Sequence, residues 1–338
     1  MHHNIDLIGH PDYSFNHCAS IIVLPQIDFC KDKSIIVGYC GAECTDEQRA
    51  FIYFNGKYTE FKPRTGNPII WVHESRVNIL YSRFEDVASD GSVPFTPVDR
   101  WKFCSNHHIN LSIKDFIRKL QYAPNTIEEE SVVINDMFGL LARCQPISNQ
   151  HDCLIPMYRE KDPICELWSL SSDNHLIFKN RFGESLEQSH LGQGVAIQPT
   201  FFHKNGKLCS LMRNVSRSYQ HAWASFYDGE KWSKIEQTKI PNENNSLVYV
   251  CGFNDLHEYV VFNPDRTRSD IRLHHVKSNS SISLRSDIKG TRNGCSYPNY
   301  AWGGESSEDC ELHVVHSNCG MIAHHVFSID FLAKTFKL

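Results

Sequence analysis

An all-β fold, and within that class a six-bladed β-propeller, follows from three features of this sequence. Six short apolar segments, Ser34–Val37, Val77–Tyr81, Cys153–Pro156, Lys207–Met212, Glu258–Phe262 and Glu311–His316, each follow an apolar run or a turn and read as second strands of repeated hairpins. Their markers Ile35, Ile79, Leu154, Leu208, Tyr259 and Leu312 lie 44, 75, 54, 51 and 53 residues apart. A period of about fifty residues with several strands per unit fits propeller blades, whereas helical solenoid repeats are usually shorter. The third feature is the scarcity of helical periodicity.

The one long interval, between the second and third markers, predicts a small helical and loop insertion around residues 85–131. Glu85–Pro97 and Ala123–Glu130 are rich in loop-forming Asp, Ser, Pro and Asn and in Glu. Between them, Leu111–Gln121 carries Leu111, Ile113, Phe116, Ile117 and Leu120 at partly helical spacing, which predicts a helix on the propeller rim. A propeller uses the whole length, so residues 1–338 read as one domain with no linker. Ser169–Asp173 and Ser225–Trp232 read as blade turns, with Asp228-Gly229 as the turn pair and Trp232 placed to pack between sheets.

The stretch from Gln198 to Arg213 is the most informative for function. Thr200–His203 and Lys207–Met212 are strand-like, and Asn205-Gly206 supplies the positive-φ residues of a short hairpin turn. Gln198 and Arg213 therefore share one edge of the hairpin, where a fixed guanidinium can grip a carboxylate bidentately. An arginine closing the hairpin through a local carboxylate is the structural alternative.

Composition excludes several classes. A net charge of −5 argues against general nucleic-acid binding, because phosphate neutralisation needs a basic face. The first residues lack a basic-then-apolar signal pattern, and no apolar run is long enough to cross a bilayer, so a cytoplasmic protein without membrane insertion is expected. Thirteen cysteines scattered singly then read as buried free thiols. Cys40-x3-Cys44 has no second pair, and Cys104, His107 and His108 lack a fourth ligand, so no metal site is expected and no cofactor is implied.

Several segments in order carry a resemblance: His17–Pro25, the glycine-and-acid loop Gly38–Glu43, the 198–213 hairpin, Asn244-Asn-Ser246, Phe262-Asn-Pro264 and Ser296-Tyr-Pro298. Together they resemble the sialidase superfamily, in particular its branch of neuraminidase-like proteins with bacterial-neuraminidase repeats, over nearly the whole chain. The serine, aspartate, glycine and tryptophan box of those repeats survives in the degenerate form ending at Trp232.

In sialidases three arginines clamp the sugar carboxylate, a tyrosine activated by a glutamate attacks the anomeric carbon, and a separate acid protonates the leaving group. The resemblance implies Arg213 and Arg268 as the second and third arginines, Tyr297 as the nucleophile and Glu43 as the acid/base, with Asp46 and Glu47 as rivals. It also makes Asn245 and Asn263 candidate substrate contacts. Two departures stand out: His17 occupies the place of the first arginine, and Gln198 that of the activating glutamate. Glutamine cannot take a proton, so the usual activation of the tyrosine is unavailable.

The expectation is an exo-acting glycan enzyme of sialidase type acting on terminal sialic acid or a related acidic sugar. Two alternatives remain open. One is a polysaccharide lyase in which Arg213 or Gln198 neutralises a uronate while His17 or Tyr297 abstracts the adjacent proton. The other is a glycan-binding propeller without turnover, with Trp71, Trp223 or Trp302 stacked on a sugar face.

Overall fold

The structure is a computed structural model that describes residues 3–24, 34–85, 100–101, 103–135, 139–148, 153–159, 164–183, 195–216, 218–252, 257–284, 294–304 and 309–338. It is a six-bladed β-propeller, each blade an antiparallel sheet. Blade 1 runs from the inside out through Asn16–Val23, Ser34–Cys40, Arg49–Phe54 and Lys57–Glu60. Blade 2 follows with Thr65–His73, Arg76–Phe84, Cys104–Ser112 and Val132–Asn135. In blade 3 the inner strand is broken into Leu140–Ala142 and Ile147–Ser148, both paired with Cys153–Arg159, and Ile164–Leu170 and Leu176–Phe182 complete the sheet.

Blade 4 comprises Ala196–Lys204, Lys207–Asn214, His221–Tyr227 and Glu236–Pro241, and blade 5 Leu247–Val250, Tyr259–Phe262, Arg272–His275 and Ser280–Ser283. Blade 6 takes Ser296–Gly303, Glu311–Asn318 and Met321–Ser328, and its outermost strand is His3–Ile8 from the other end of the chain. That antiparallel pairing of His3–Ile8 with Met321–Ser328 closes the ring. All six segments picked out by periodicity are the second strands of their blades, because the second strand is buried on both faces and carries the strongest apolar run.

The core lies between blades rather than within one. Trp232, after the Asp228-Gly229 turn of blade 4, stacks on Phe182 of blade 3 at 4.1 Å and on Phe201 at 5.7 Å between ring centroids. The insertion expected around 85–131 is only partly one. Residues 86–99 lie outside those described, and Cys104–Ser112 is a full blade strand paired along the length of Arg76–Phe84. The helix Ile113–Tyr122 starts two residues later than periodicity suggests, because Leu111 and Ser112 finish that strand and the Ser112 hydroxyl caps the helix by accepting from the Asp115 amide at 3.1 Å. Among the described residues no helix is long and apolar enough to cross a membrane. All twelve described cysteines are free thiols, most of them buried.

Candidate functional site

Tyr297 sits on the inner strand of blade 6 in a left-handed conformation, φ 53°, inside a register shift between Ser296 and Asn299. The shift turns its side chain out of the regular alternation, and Pro298, which has no amide hydrogen to lose, follows at the interruption. Side chains from four other blades gather around it. The His17 ring of blade 1 meets the tyrosine ring edge-on at 4.5 Å between centroids. The Arg143 guanidinium of blade 3 lies 5.1 Å from the ring centre and that of Arg268, in blade 5, lies 5.5 Å away. Arg213 of blade 4 is near enough for its charge to favour the phenolate.

The three arginines are held by neutral groups. Arg143, only 2% exposed, donates through Nη2 to the Tyr297 carbonyl at 2.6 Å, and among the described residues its Nε has no partner. Arg213 donates to Asn244 Oδ1 at 2.8 and 3.1 Å and to Gln198 Oε1 at 3.0 Å. Arg268 donates through Nε to Asn245 Oδ1 at 2.8 Å. Among the described residues none of the three is ion-paired with a carboxylate, whereas Arg266 pairs with Glu243 and Arg272 with Asp270. Amide partners fix a guanidinium without cancelling its charge, so three cations stay available to an anion in a largely buried setting.

The other groups respond to this field. Burial holds the His17 imidazole well below its ordinary pKa, and the charges of Arg143 and Arg268 push the same way, so it is neutral. Burial raises the Tyr297 phenol, and the charges of Arg213 and Arg268 oppose that rise. The Cys18 thiol is pushed up to about 12, chiefly by burial, and stays protonated.

Gln198, in the equivalent bulge of blade 4 with φ 50°, is embedded in the wall. Its carbonyl oxygen accepts from Arg213 and from Ser246 Oγ, and its amide nitrogen donates to the Tyr158 hydroxyl at 3.3 Å. In the loop after blade 1's second strand, Glu43 is exposed and accepts from Trp101 Nε1 at 3.3 Å. Its rival Asp46 is engaged by both Arg64 and Arg100 at 2.9 Å. Gln48 holds the loop's shape, accepting from the Cys44 amide at 2.7 Å.

His17, Gln198, Arg213, Arg268 and Tyr297 thus come together, with Glu43 close enough for its charge to act on the Tyr297 phenol. The two asparagines support the arginine-bearing loop. Asn245, 1% exposed, orients Arg268 and donates to the Asp265 carbonyl, while Asn263, fully buried, donates to the carbonyls of Asp270 and Cys295 and braces the arginine-bearing loop. The three tryptophans are also structural. Trp71 stacks on His108, Trp223 packs edge-on against Tyr219, and Trp302 donates to the Cys251 carbonyl. They point between blades because each lies on the packed part of its strand.

Arg143 carries no strand signal in the sequence because blade 3 breaks where it sits. Its signal is the x-Pro step of the inner strands: Asn67-Pro68, Gln145-Pro146, Gln198-Pro199 and Tyr297-Pro298 align the blades and place Arg143 just before one such step. Cys104, His107 and His108 do not converge: His107 meets Ser105, His108 meets Asn78, and Cys104 contacts the Trp101 carbonyl. Among the described residues, His10, Asp12 and Glu60 form one compact set of metal-type donors, where His10 Nε2 is already bonded to Glu60 at 2.9 Å and Glu60 to Arg49.

The architecture and the arginine-lined centre define a sialidase-like propeller. The family model described as BNR repeat-like domain matches residues 128–314, more than half of the sequence, and the chain belongs to that family. Among solved structures, Trypanosoma rangeli sialidase is similar with a TM-score of 0.60 at 9% identity, covering 96% of this chain and 56% of its own. The chain therefore spans little more than half the length of that sialidase. AofleA from Arthrobotrys oligospora has a TM-score of 0.51 at 8% identity, with 97% and 87% covered. The subtype N10 neuraminidase-like protein of A/little yellow-shouldered bat/Guatemala/060/2010 has a TM-score of 0.51 at 7% identity, with 96% and 97% covered. At these identities the likeness is one of fold. No curated protein sequence matches the chain.

Proposed function

We propose that this protein is an exo-acting glycan-processing enzyme of sialidase type whose pocket takes the carboxylate of a terminal acidic sugar. The observation that carries the reading is the gathering of Arg143, Arg213 and Arg268 around Tyr297 without a carboxylate partner among the described residues. Buried cations held by neutral amides leave their charge for a ligand anion. Trypanosoma rangeli sialidase has been solved in complex with sialic acid, which makes that sugar the first substrate to try.

In this reading the Tyr297 oxygen bonds to the anomeric carbon as the glycosidic bond breaks and its phenolic proton leaves to solvent, while Glu43 in its acid form protonates the departing oxygen; water then displaces the tyrosine oxygen from the anomeric carbon, giving one proton to Glu43 and leaving Tyr297 to regain its own. A neutral nucleophile suits a carboxylate-bearing sugar because it adds no repulsion. Recognition without turnover is the second reading, and it is favoured by Gln198, whose amide is already committed to Arg213, Ser246 and Tyr158 and cannot accept a proton.

A library of sialylated and uronate-containing glycans incubated with the protein and followed by mass spectrometry tests these readings. A released acidic monosaccharide supports the hydrolase, and retention of unaltered glycan supports recognition alone. An unsaturated uronate product would overturn both in favour of elimination.

A further inference from the structure

We propose that the cleft at the outer rim between blades 3 and 4 is a second ligand site, which takes the oxyanion of a sulfate or phosphate monoester. It is built from the outermost strand of blade 3 and the turn before the outermost strand of blade 4, apart from the inner strands around Tyr297. It is therefore independent of the reading of the arginine cluster.

The degenerate serine, aspartate, glycine and tryptophan box shapes this cleft. Asp228 Oδ1 accepts from the amides of Glu230 and Lys231 at 3.0 and 2.9 Å, and Ser225 Oγ donates to the Ser233 carbonyl at 2.8 Å. Asn180 of blade 3 reaches across and donates through Nδ2 to the Glu230 carbonyl at 3.1 Å. The turn that carries Lys231 and Trp232 is thus held from both blades, and Phe182 stacks on the Trp232 ring at 4.1 Å. The cleft beside it measures about 330 Å³, the size of a small-molecule site.

Two separate features assign it an anion. Every charged residue lining it, Arg181, Lys231 and Lys234, is a cation, on a chain whose net charge is −5. Arg181 shares the buried Glu166 with Arg159, whereas Lys231 and Lys234 enter no ion pair among the described residues. The second feature is the indole N–H of Trp232. Trp101, Trp168, Trp223 and Trp302 each donate from Nε1 to an oxygen. Trp232 Nε1 is buried and, among the described residues, has no acceptor. Trp71 Nε1 lacks one too, but Trp71 is walled into the core between blades 2 and 3, while Trp232 lines the cleft. A buried donor left open is a place for an acceptor. A monoester presents three terminal oxygens, enough to meet an indole N–H and cations arriving from two blades, where a carboxylate presents two.

The test titrates the full chain at low salt with glucose 6-sulfate and with glucose 6-phosphate, against glucose as the neutral control, by calorimetry and by the indole N–H resonances in proton–nitrogen NMR spectra. At least one ester should bind and glucose should not, and the tighter of the two names the ester the site prefers. The resonance that is missing from Trp232→Phe should move, while that of Trp101, which donates to Glu43 beside Tyr297, should stay in place. Trp232→Phe should weaken the tighter ester about tenfold, and Lys231→Ala with Lys234→Ala, at exposed positions that leave the melting temperature unaltered, by at least as much. Arg213→Ala should leave the ester's affinity unchanged. Wild-type affinity in the double lysine variant overturns the site, as does a wild type that binds neither ester or binds glucose equally well. A Trp101 resonance that moves while that of Trp232 stays still, or a loss of ester binding in Arg213→Ala, places the ligand at the centre and overturns the site as well. Should Trp232→Phe fail to fold, the double lysine variant decides alone.

Discussion

Two buried clusters of ionisable side chains, one around Tyr297 and one among the histidines of blade 6's outer three strands, contrast sharply in how their polar groups are satisfied. In blade 6, His316 Nδ1 donates to the Ser317 carbonyl at 2.9 Å. Because a carbonyl only accepts, that bond sets every tautomer outward: His325 Nε2 donates to His316 Nε2 at 3.0 Å, and His3 Nε2 donates to His325 Nδ1 at 3.1 Å. Each imidazole uses the next, and the chain of neutral rings staples the closing strand His3–Ile8 to its neighbours. Among the described residues, the arginines around Tyr297 meet amides, a carbonyl and an aromatic face, and Arg143 keeps an orphan Nε. A buried cluster that completes itself is architecture, and one that leaves charge and donors over is a site.

Breaking the open cluster should have the largest effect. Arg213→Ala should cost about 2–3 kcal/mol of acidic-sugar affinity through loss of charge-assisted contacts, with the fold retained. Calorimetry reads the first and thermal melting the second; unchanged affinity would remove Arg213 from the carboxylate site.

Closing the open cluster artificially should come next. Gln198→Glu puts a carboxylate against Arg213 and Ser246, so it cancels one of the free cations and weakens acidic-ligand binding about tenfold or more. If hydrolysis of an aryl sialoside rises in this variant instead, the glutamine is a blunted base for Tyr297 and not a part of the arginine's cradle.

For the self-completing cluster, pH is the lever. Burial lowers His316 to about 4 and His325 to about 2, so below the unfolded value near 6.5 the unfolded chain binds protons that the folded one refuses. Stability is then fully present above pH 6.5 and falls with acid. The loss is about 2–3 kcal/mol at most by pH 5.5 for the two together. His313 and His324, bonded to each other at 3.0 Å, with Glu311 near the first and Asp6 near the second, add to the same trend. Urea midpoints between pH 7 and 5 check this, and hydrogen exchange should show the His3–Ile8 strand opening first. A flat profile would mean the rings are not neutral in the fold.

The smallest change belongs to the surface. Asp46→Ala removes two exposed ion pairs to Arg64 and Arg100, which solvent screens, and should leave the melting temperature, ligand affinity and any turnover nearly unaltered. A large loss of turnover would return Asp46 to contention with Glu43 as the proton donor.

The sequence made the blades legible because each second strand is an apolar run at a steady period. It hid the third strand of blade 2, Cys104–Ser112, whose composition is polar and whose approach is a long connection. It also hid the ring closure, since nothing local in His3–Ile8 announces a partner over three hundred residues away. At the site, Gln198 and Arg213 could be picked out because they stand at one edge of a regular hairpin, and Tyr297 and Arg268 through the resemblance to sialidases. Arg143 depends on the break in the inner strand of blade 3, a backbone event with only the following Pro146 as its trace. The partners of Asn245 and Asn263, an arginine and main-chain carbonyls, are set by loop geometry that the sequence does not show.

One comparison by titration calorimetry tests the carboxylate site most directly: wild-type protein against N-acetylneuraminic acid and against its methyl ester, at neutral pH and low salt. The free arginines predict that the acid binds and that esterification, which removes the charge and little else, weakens binding at least about thirtyfold. Equal affinity for acid and ester, or binding of neither, would contradict the claim that Arg143, Arg213 and Arg268 form a carboxylate site.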